Sequence, residues 1–176
     1  MFVAAWPDDP TLQRLSLLEL EPAPGLRLVR PAQFHITLRF LGEVDEDVVP
    51  ALVDALDIAA DETPGPVHCE VGPATAWFSG HRVLQIPAAG LDALAAAVHA
   101  ATLAVLPEAD RNEPPFAGHL TVARSNRRRL HPPARAALAG LPLAASFDVD
   151  CFDLVASELS NEGPRYTTLR RVPLRG

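Results

Sequence analysis

A chain of 176 residues with 48% apolar content is long enough for one packed domain and too apolar to stay disordered. Its formal net charge of -7 argues against a general nucleic-acid coat, because phosphate neutralisation drives that binding, but leaves room for a small, locally positive cleft. All 15 basic residues are arginine, whose planar fork suits phosphate, while Cys69 and Cys151 lack zinc-ligand spacing and read as buried thiols in a reducing compartment.

Met1 to Trp6 reads as a short strand. Asp9-Pro10 then reads as an N-cap with proline at the first helical position, followed by a stripe of Leu12, Leu15 and Leu18 that ends at Pro22 and Pro24. Leu26 to Arg30 reads as a short strand or an extended lead-in. In Phe34 to Leu41, Ile36, Leu38 and Phe40 alternate with His35, Thr37 and Arg39, the period of a strand with one buried face. A helix capped by Asp45 or Asp47 carries Val48, Leu52, Leu56 and Ala59, with Pro50 early enough to be tolerated. Val67 to Val71 and Arg82 to Ile86 are strands around a turn at Ser79-Gly80. Leu91 to Leu106 is an alanine-rich helix. It is interrupted by Asp92, His99 and Thr102 and is too short to span a bilayer. Pro107 to Gly118 is a loop, and His119 to Ala123 a strand. Pro132 to Ala139 is a helix closed by Gly140. Ser146 to Leu159 reads as one long strand, and Tyr166 to Val172 as the last. The N-terminus lacks a basic and apolar leader, so a single-domain cytoplasmic protein spanning 1–176, monomeric and without a membrane partner, is expected.

One echo stands out. H-I-T-L at 35–38 repeats as H-L-T-V at 119–122. On a strand, residues i and i+2 share a face, so His35 projects with Thr37 and His119 with Thr121, while Ile36, Leu38, Leu120 and Val122 turn to a core. Two such copies facing each other suit in-line displacement at phosphorus. One imidazole takes a proton from the nucleophile and the other protonates the leaving oxygen. The threonine hydroxyls donate to the non-bridging oxygens. No metal or cofactor is needed for that chemistry. A zinc site built on the two histidines lacks a third ligand at recognisable spacing. The near-identity of the motifs leaves open which histidine is acid and which is base.

The chain resembles the two-histidine (2H) phosphoesterases, and within them the bacterial and archaeal RNA 2′,3′-cyclic phosphodiesterases, also called 2′-5′ RNA ligases. The resemblance rests on H-I-T-L-R-F-L-G-E-V at 35–44 and P-F-A-G-H-L-T-V-A-R at 115–124, with supporting positions from Phe2 through Arg27, Phe78, Ser157 and Tyr166 to Leu174. It implies an α+β fold of two pseudo-symmetric lobes, each an antiparallel sheet with outer helices, around a central groove. It implies that His35 is the proton donor and His119 the acceptor, that Thr37 and Thr121 bind the phosphate, and that Arg124 holds the basic position after the second motif. The implied reaction turns RNA 2′,3′-cyclic phosphate ends into 2′-phosphates, with 2′-5′ ligation of tRNA halves as a side activity. The implied partner is an RNA terminus, tRNA-half-like or oligonucleotide, or else a cyclic nucleotide. Small cyclic nucleotides or oligoadenylates, and a non-catalytic binder of nucleotides or RNA ends, are the alternatives. The chain departs from the family at Leu28, where a tryptophan is common, and at Gly118, where proline is common. Gly118 leaves the backbone before His119 freer.

Other positions carry two readings each. Strict alternation puts Arg124 on the face opposite His119, so a bulge must intervene or Arg124 is no phosphate ligand. Arg39 shares the parity of His35, for phosphate contact or a groove-wall salt bridge. Arg127, Arg128 and Arg129 guide RNA or form a solvated loop. Trp77, Phe78 and Tyr166 stack on a base or fill the core. His68, His81, His99 and His131 read as structural or surface residues. Glu43, Asp45, Glu46 and Asp47 read more simply as helix N-terminal charges than as a metal site.

Overall fold

The computed structural model describes residues 1–78, 80–107, 115–126, 130–160 and 163–175. The strands are β1 (Phe2–Ala5), β2 (Leu26–Leu28), β3 (Ile36–Phe40), β4 (Val67–Val71), β5 (Ala76–Phe78), β6 (Val83–Ala89), β7 (His119–Ser125), β8 (Ala145–Val149), β9 (Cys151–Ser160) and β10 (Gly163–Pro173). The α-helices are α1 (Asp9–Ser16), α2 (Val49–Asp61), α3 (Asp92–Val105) and α4 (Pro132–Ala137). Every strand pairing is antiparallel, in the order β10-β9-β1-β3-β7-β6-β4-β8, with β2 also on β7 and β5 on β6.

The sheet is pinched at its middle. β3 and β7 meet at one residue pair, Ile36 with Leu120. On one side lies β10-β9-β1-β3, built from the two ends of the chain. On the other lies β7-β6-β4-β8, built from its centre. These are the two lobes that the repeated motif implies, and each motif strand sits at the seam. Helices α2 and α3 pack on each other, α3 on β3, α2 on β10, and α1 on β8. Ile36, Leu120 and Val122 are fully buried in the main core with Leu52, Leu56 and Leu94, so the seam strands are anchored from behind. Each such side chain contributes about 1.5–3 kcal/mol of burial.

Several expectations are corrected. The cap of α1 is Asp8, not Asp9: its carboxylate accepts from the Thr11 N–H at 2.9 Å, and α1 ends before Leu17. Asp45 precedes a 3-10 turn, Glu46–Val48, that feeds α2, but its side chain makes no capping bond. Of the acidic run, Glu46 and Asp47 place their charge in the first turn of that 3-10 segment. The expected long strand over 146–159 is two strands. Only Asp150 separates β8, paired with β4, from β9, paired with β1 and β10, so the chain changes lobes there. A continuous apolar run hides such a switch, because both strands need the same composition. A strand, β5, was also missed ahead of the 79–82 turn; Ser79 itself lies outside the described residues. Cys69 is buried, but Cys151 is only half-buried. Both thiols are free, and burial pushes them up to about 12 and about 11.

Candidate active site

The single β3–β7 pair defines the site. Ile36 pairs with Leu120, and the polar residues flanking this pair gather as His35 with Thr121 on one side and Thr37 with His119 on the other. The four polar residues form a quadrilateral on the side away from the core, with the imidazoles at diagonal corners.

Both rings are oriented alike. His35 Nδ1 lies 2.7 Å from the Gln33 carbonyl oxygen, and His119 Nδ1 lies 2.8 Å from that of Ala117. A carbonyl only accepts, so Nδ1 carries the proton in each neutral ring and Nε2 is left for chemistry. The partner carbonyl is two residues upstream in both motifs, a second sign of the internal symmetry.

A bulge resolves the parity problem of Arg124. On β7, Leu84 pairs with Ala123 but Gln85 with Thr121, so Val122 is an extra residue. On β3, Val3 pairs with Arg39 but Ala4 with Thr37, so Leu38 is the extra residue. The insertion follows the threonine in both motifs. Alternation breaks there: Leu38 and Arg39 are both buried, as are Val122 and Ala123, and the next residue, Phe40 or Arg124, returns to the site side. Arg124 thus borders a recess of about 250 Å³ with His35, Thr121, Arg27, Arg30 and Tyr166. The bulge on β3 buries Arg39 in the wall beside Thr37 and His119. Arg39 is 1% exposed and donates to the His99 carbonyl at 2.7 Å and the Thr102 hydroxyl at 2.6 Å, which ties α3 to β3. Phe40, expected in the core, is 60% exposed.

The other diagonal opens into a second recess, of about 490 Å³, lined by Thr37, Phe40, Phe78, Phe116 and His119, with Asp92 and His99 of α3 behind. Adjacent rows of the quadrilateral are two residues apart along each strand, so the two recesses adjoin at the quartet. One is rich in guanidinium and the other in aromatic rings.

Gly118 does not loosen His119. A Cβ there would stand 2.4 Å from the Ala88 carbonyl oxygen, and the Gly118 carbonyl accepts from the Ala88 N–H at 2.8 Å. Glycine is required because β6 passes this close. Leu28, where a tryptophan was the alternative, borders the first recess and is not a core residue.

A profile of the 2′-5′ RNA ligase superfamily matches residues 5–161. The chain belongs to that superfamily. An RNA 2′,3′-cyclic phosphodiesterase of Thermus thermophilus is 32% identical over 171 residues, covering 90% of this chain and 80% of the relative. Another, of Archaeoglobus fulgidus, is 29% identical over 175 residues, 97% of each chain. Among solved structures, TT0787 of Thermus thermophilus superposes with a TM-score of 0.85 at 27% identity, over 99% of this chain and 97% of that one. Apo LigT of E. coli gives 0.72 at 23% identity, over 99% and 96%, and shares the fold.

In this member of the superfamily the histidines sit in unequal surroundings. Phe2 stacks on His35 at 4.9 Å between centroids, Trp6 lies at 5.4 Å, and Tyr166 meets it edge-on at 5.3 Å. That burial, together with the charges of Arg124 and His119, lowers the His35 pKa, against the raising effect of the Gln33 carbonyl. Among the described residues, the ring that meets His119 is Phe78, at 5.3 Å. Trp77 takes the core reading, because its Nε1–H donates to the Arg135 carbonyl at 2.9 Å, whereas Phe78 and Tyr166 border the recesses. His68 pairs with Asp148 on the surface, but His99 borders the aromatic recess. Arg127 to Arg129 lie outside the described residues. Among the described residues, no three of His, Cys, Asp and Glu gather as a metal site, and no helix is long and apolar enough to cross a membrane. The sequence reading missed Phe40, Phe116, Arg30 and Gln33. For Phe40 the signal was available: it occupies the place in the first motif that Arg124 occupies in the second.

Proposed function

We propose that this protein hydrolyses the 2′,3′-cyclic phosphate at RNA ends to a 2′-phosphomonoester, by paired imidazole chemistry that needs no metal. The observation that carries the reading is the gathering of His35 with Thr121 and of His119 with Thr37 on either side of the Ile36–Leu120 pair, with both Nδ1 atoms tied back. The cyclic phosphate lies over the quartet. His119 Nε2 accepts a proton from water, whose oxygen attacks phosphorus. The P–O3′ bond breaks in line, and His35 gives its proton to the departing O3′. Thr37 and Thr121 donate to the non-bridging oxygens, and Arg124 offsets the charge that develops there. A lowered His35 pKa suits this cycle, because the arriving anion draws a proton onto His35 only when substrate is present. Replacing water by the 5′-hydroxyl of a second RNA gives a 2′-5′ diester through the same steps, which accounts for a ligase side activity. The aromatic recess takes the terminal base against Phe40 and Phe78, since stacking accepts any base. A site built from one chain supports a monomer as the working unit, acting on cytoplasmic RNA ends.

The test is incubation with chelator and an oligonucleotide ending in a 2′,3′-cyclic phosphate, followed by phosphorus NMR. The expected product is the 2′-phosphate. A 3′-phosphate reverses the leaving group, and loss of turnover in chelator removes the metal-free mechanism.

A further inference from the structure

The recess beside His35 holds more positive charge than one phosphate calls for. Arg27, Arg30 and Arg124 all border it. Acidic residues outnumber basic ones 22 to 15, yet among the described residues no carboxylate pairs with any of these three. The carboxylate partners of arginine lie elsewhere, Arg170 with Asp57, Arg171 with Asp153 and Arg175 with Asp61, and what sets this trio apart is that three guanidinium groups gather in one recess. Arg27 also stands directly opposite Arg124 in the β2–β7 register. Like charges at opposite positions destabilise a sheet, so the pairing stands to gain from an anion between the forks. The order along the recess is readable. Arg124 lies on the motif strand β7 itself, whereas Arg27 stands one strand away, on β2. Gly163 flanks it: at φ +118 it carries no Cβ, which would stand 3.1 Å from Arg27 Nη1.

We propose that Arg27, with Arg30 at the rim, forms a second phosphate subsite, which binds the 5′-phosphate of the same nucleoside whose cyclic phosphate lies over the quartet. This rests on the cyclic-phosphate reading above and sharpens its substrate class. The enzyme selects nucleosides phosphorylated on both sides, as every RNA end beyond one nucleotide is, over 5′-hydroxyl cyclic mononucleotides. Arg124 serves the reacting phosphate and Arg27 the neighbouring one.

The experiment compares kcat/KM for adenosine 2′,3′-cyclic phosphate, its 5′-phosphorylated form, and a dinucleotide ending in adenosine 2′,3′-cyclic phosphate. The 5′-phosphate raises kcat/KM about tenfold or more, chiefly through KM, the worth of one charge-assisted hydrogen bond. The dinucleotide matches the 5′-phosphorylated form. In Arg27→Gln the ratio between phosphorylated and unphosphorylated substrates falls to about one, with Arg30→Gln intermediate. A wild-type ratio near one, a gain seen only with the dinucleotide, or an Arg27→Gln ratio equal to wild type overturns the subsite. Equal turnover of all three substrates overturns the subsite alone. Absence of turnover on all three removes the cyclic-phosphate reading and the subsite with it.

Discussion

Two arginines make the sharpest test of the bulged strands. Arg39 is 1% exposed and donates to two acceptors on α3, at 2.7 and 2.6 Å. Hydrogen bonds from a charged donor contribute about 1.5–3 kcal/mol each. Removing the guanidinium also relieves its desolvation, so the low end applies, and Arg39→Met is expected to cost about 3 kcal/mol. For a domain of this size that lowers Tm by about 6–12 °C. Arg124 is exposed at the recess, so Arg124→Met changes stability by less than about 0.5 kcal/mol. Its kcat/KM falls by about 10²–10³, the usual loss for one donor to a developing oxyanion. Urea titrations and initial rates on a cyclic-phosphate oligonucleotide read the two effects separately. The reasoning is refuted if Arg39→Met folds as stably as wild type yet loses turnover, or if Arg124→Met melts early and keeps its rate.

Gly118→Ala drives a Cβ against the Ala88 carbonyl. It should cost about 1–3 kcal/mol and slow turnover by displacing His119, and an unchanged denaturation midpoint contradicts the close approach. With His35 as the acid, kcat/KM declines as pH rises through its lowered pKa, below the ordinary value of about 6.5. Arg124→Gln removes one of the lowering charges, so the alkaline limb should move upward; a limb that stays in place detaches it from His35. The same shift links to stability. A depressed folded pKa gives a contribution that is complete above the unfolded value and is lost as pH falls through the folded one. Thermal melts from pH 7.5 to 5 should therefore show a loss that His35→Asn reduces; parallel curves for the two proteins rule this out.

The paired motifs were legible because they obey the simplest strand rule up to the threonine. His35 and Thr121 border one recess and Thr37 and His119 the other, with Ile36 and Leu120 behind them. Beyond the threonine the rule fails in both copies. An extra residue in a strand leaves no mark in composition, since Leu38-Arg39 and Val122-Ala123 fit an alternating pattern as well as a bulged one. Only comparison of the two copies could have paired Phe40 with Arg124 and shown that one recess is aromatic and the other cationic. The lobe switch at Asp150 was hidden for a related reason, because hydrophobic pattern reports burial and not which sheet provides it. Arg27 opposite Arg124 depends on the register of a three-residue strand, set by pairing with a distant part of the chain and invisible locally.

The central claim is that His35 and His119 act as one unit on a single phosphorus atom. A double-mutant cycle tests it: kcat for His35→Ala, His119→Ala and the double variant, on the same cyclic-phosphate oligonucleotide in chelator. Each single change is expected to cost about 10²–10⁴, and the double variant little more than the worse single one, because a half-pair is nearly as idle as none. Losses that multiply, or a single variant that keeps wild-type turnover, would show two independent groups and contradict the shared site.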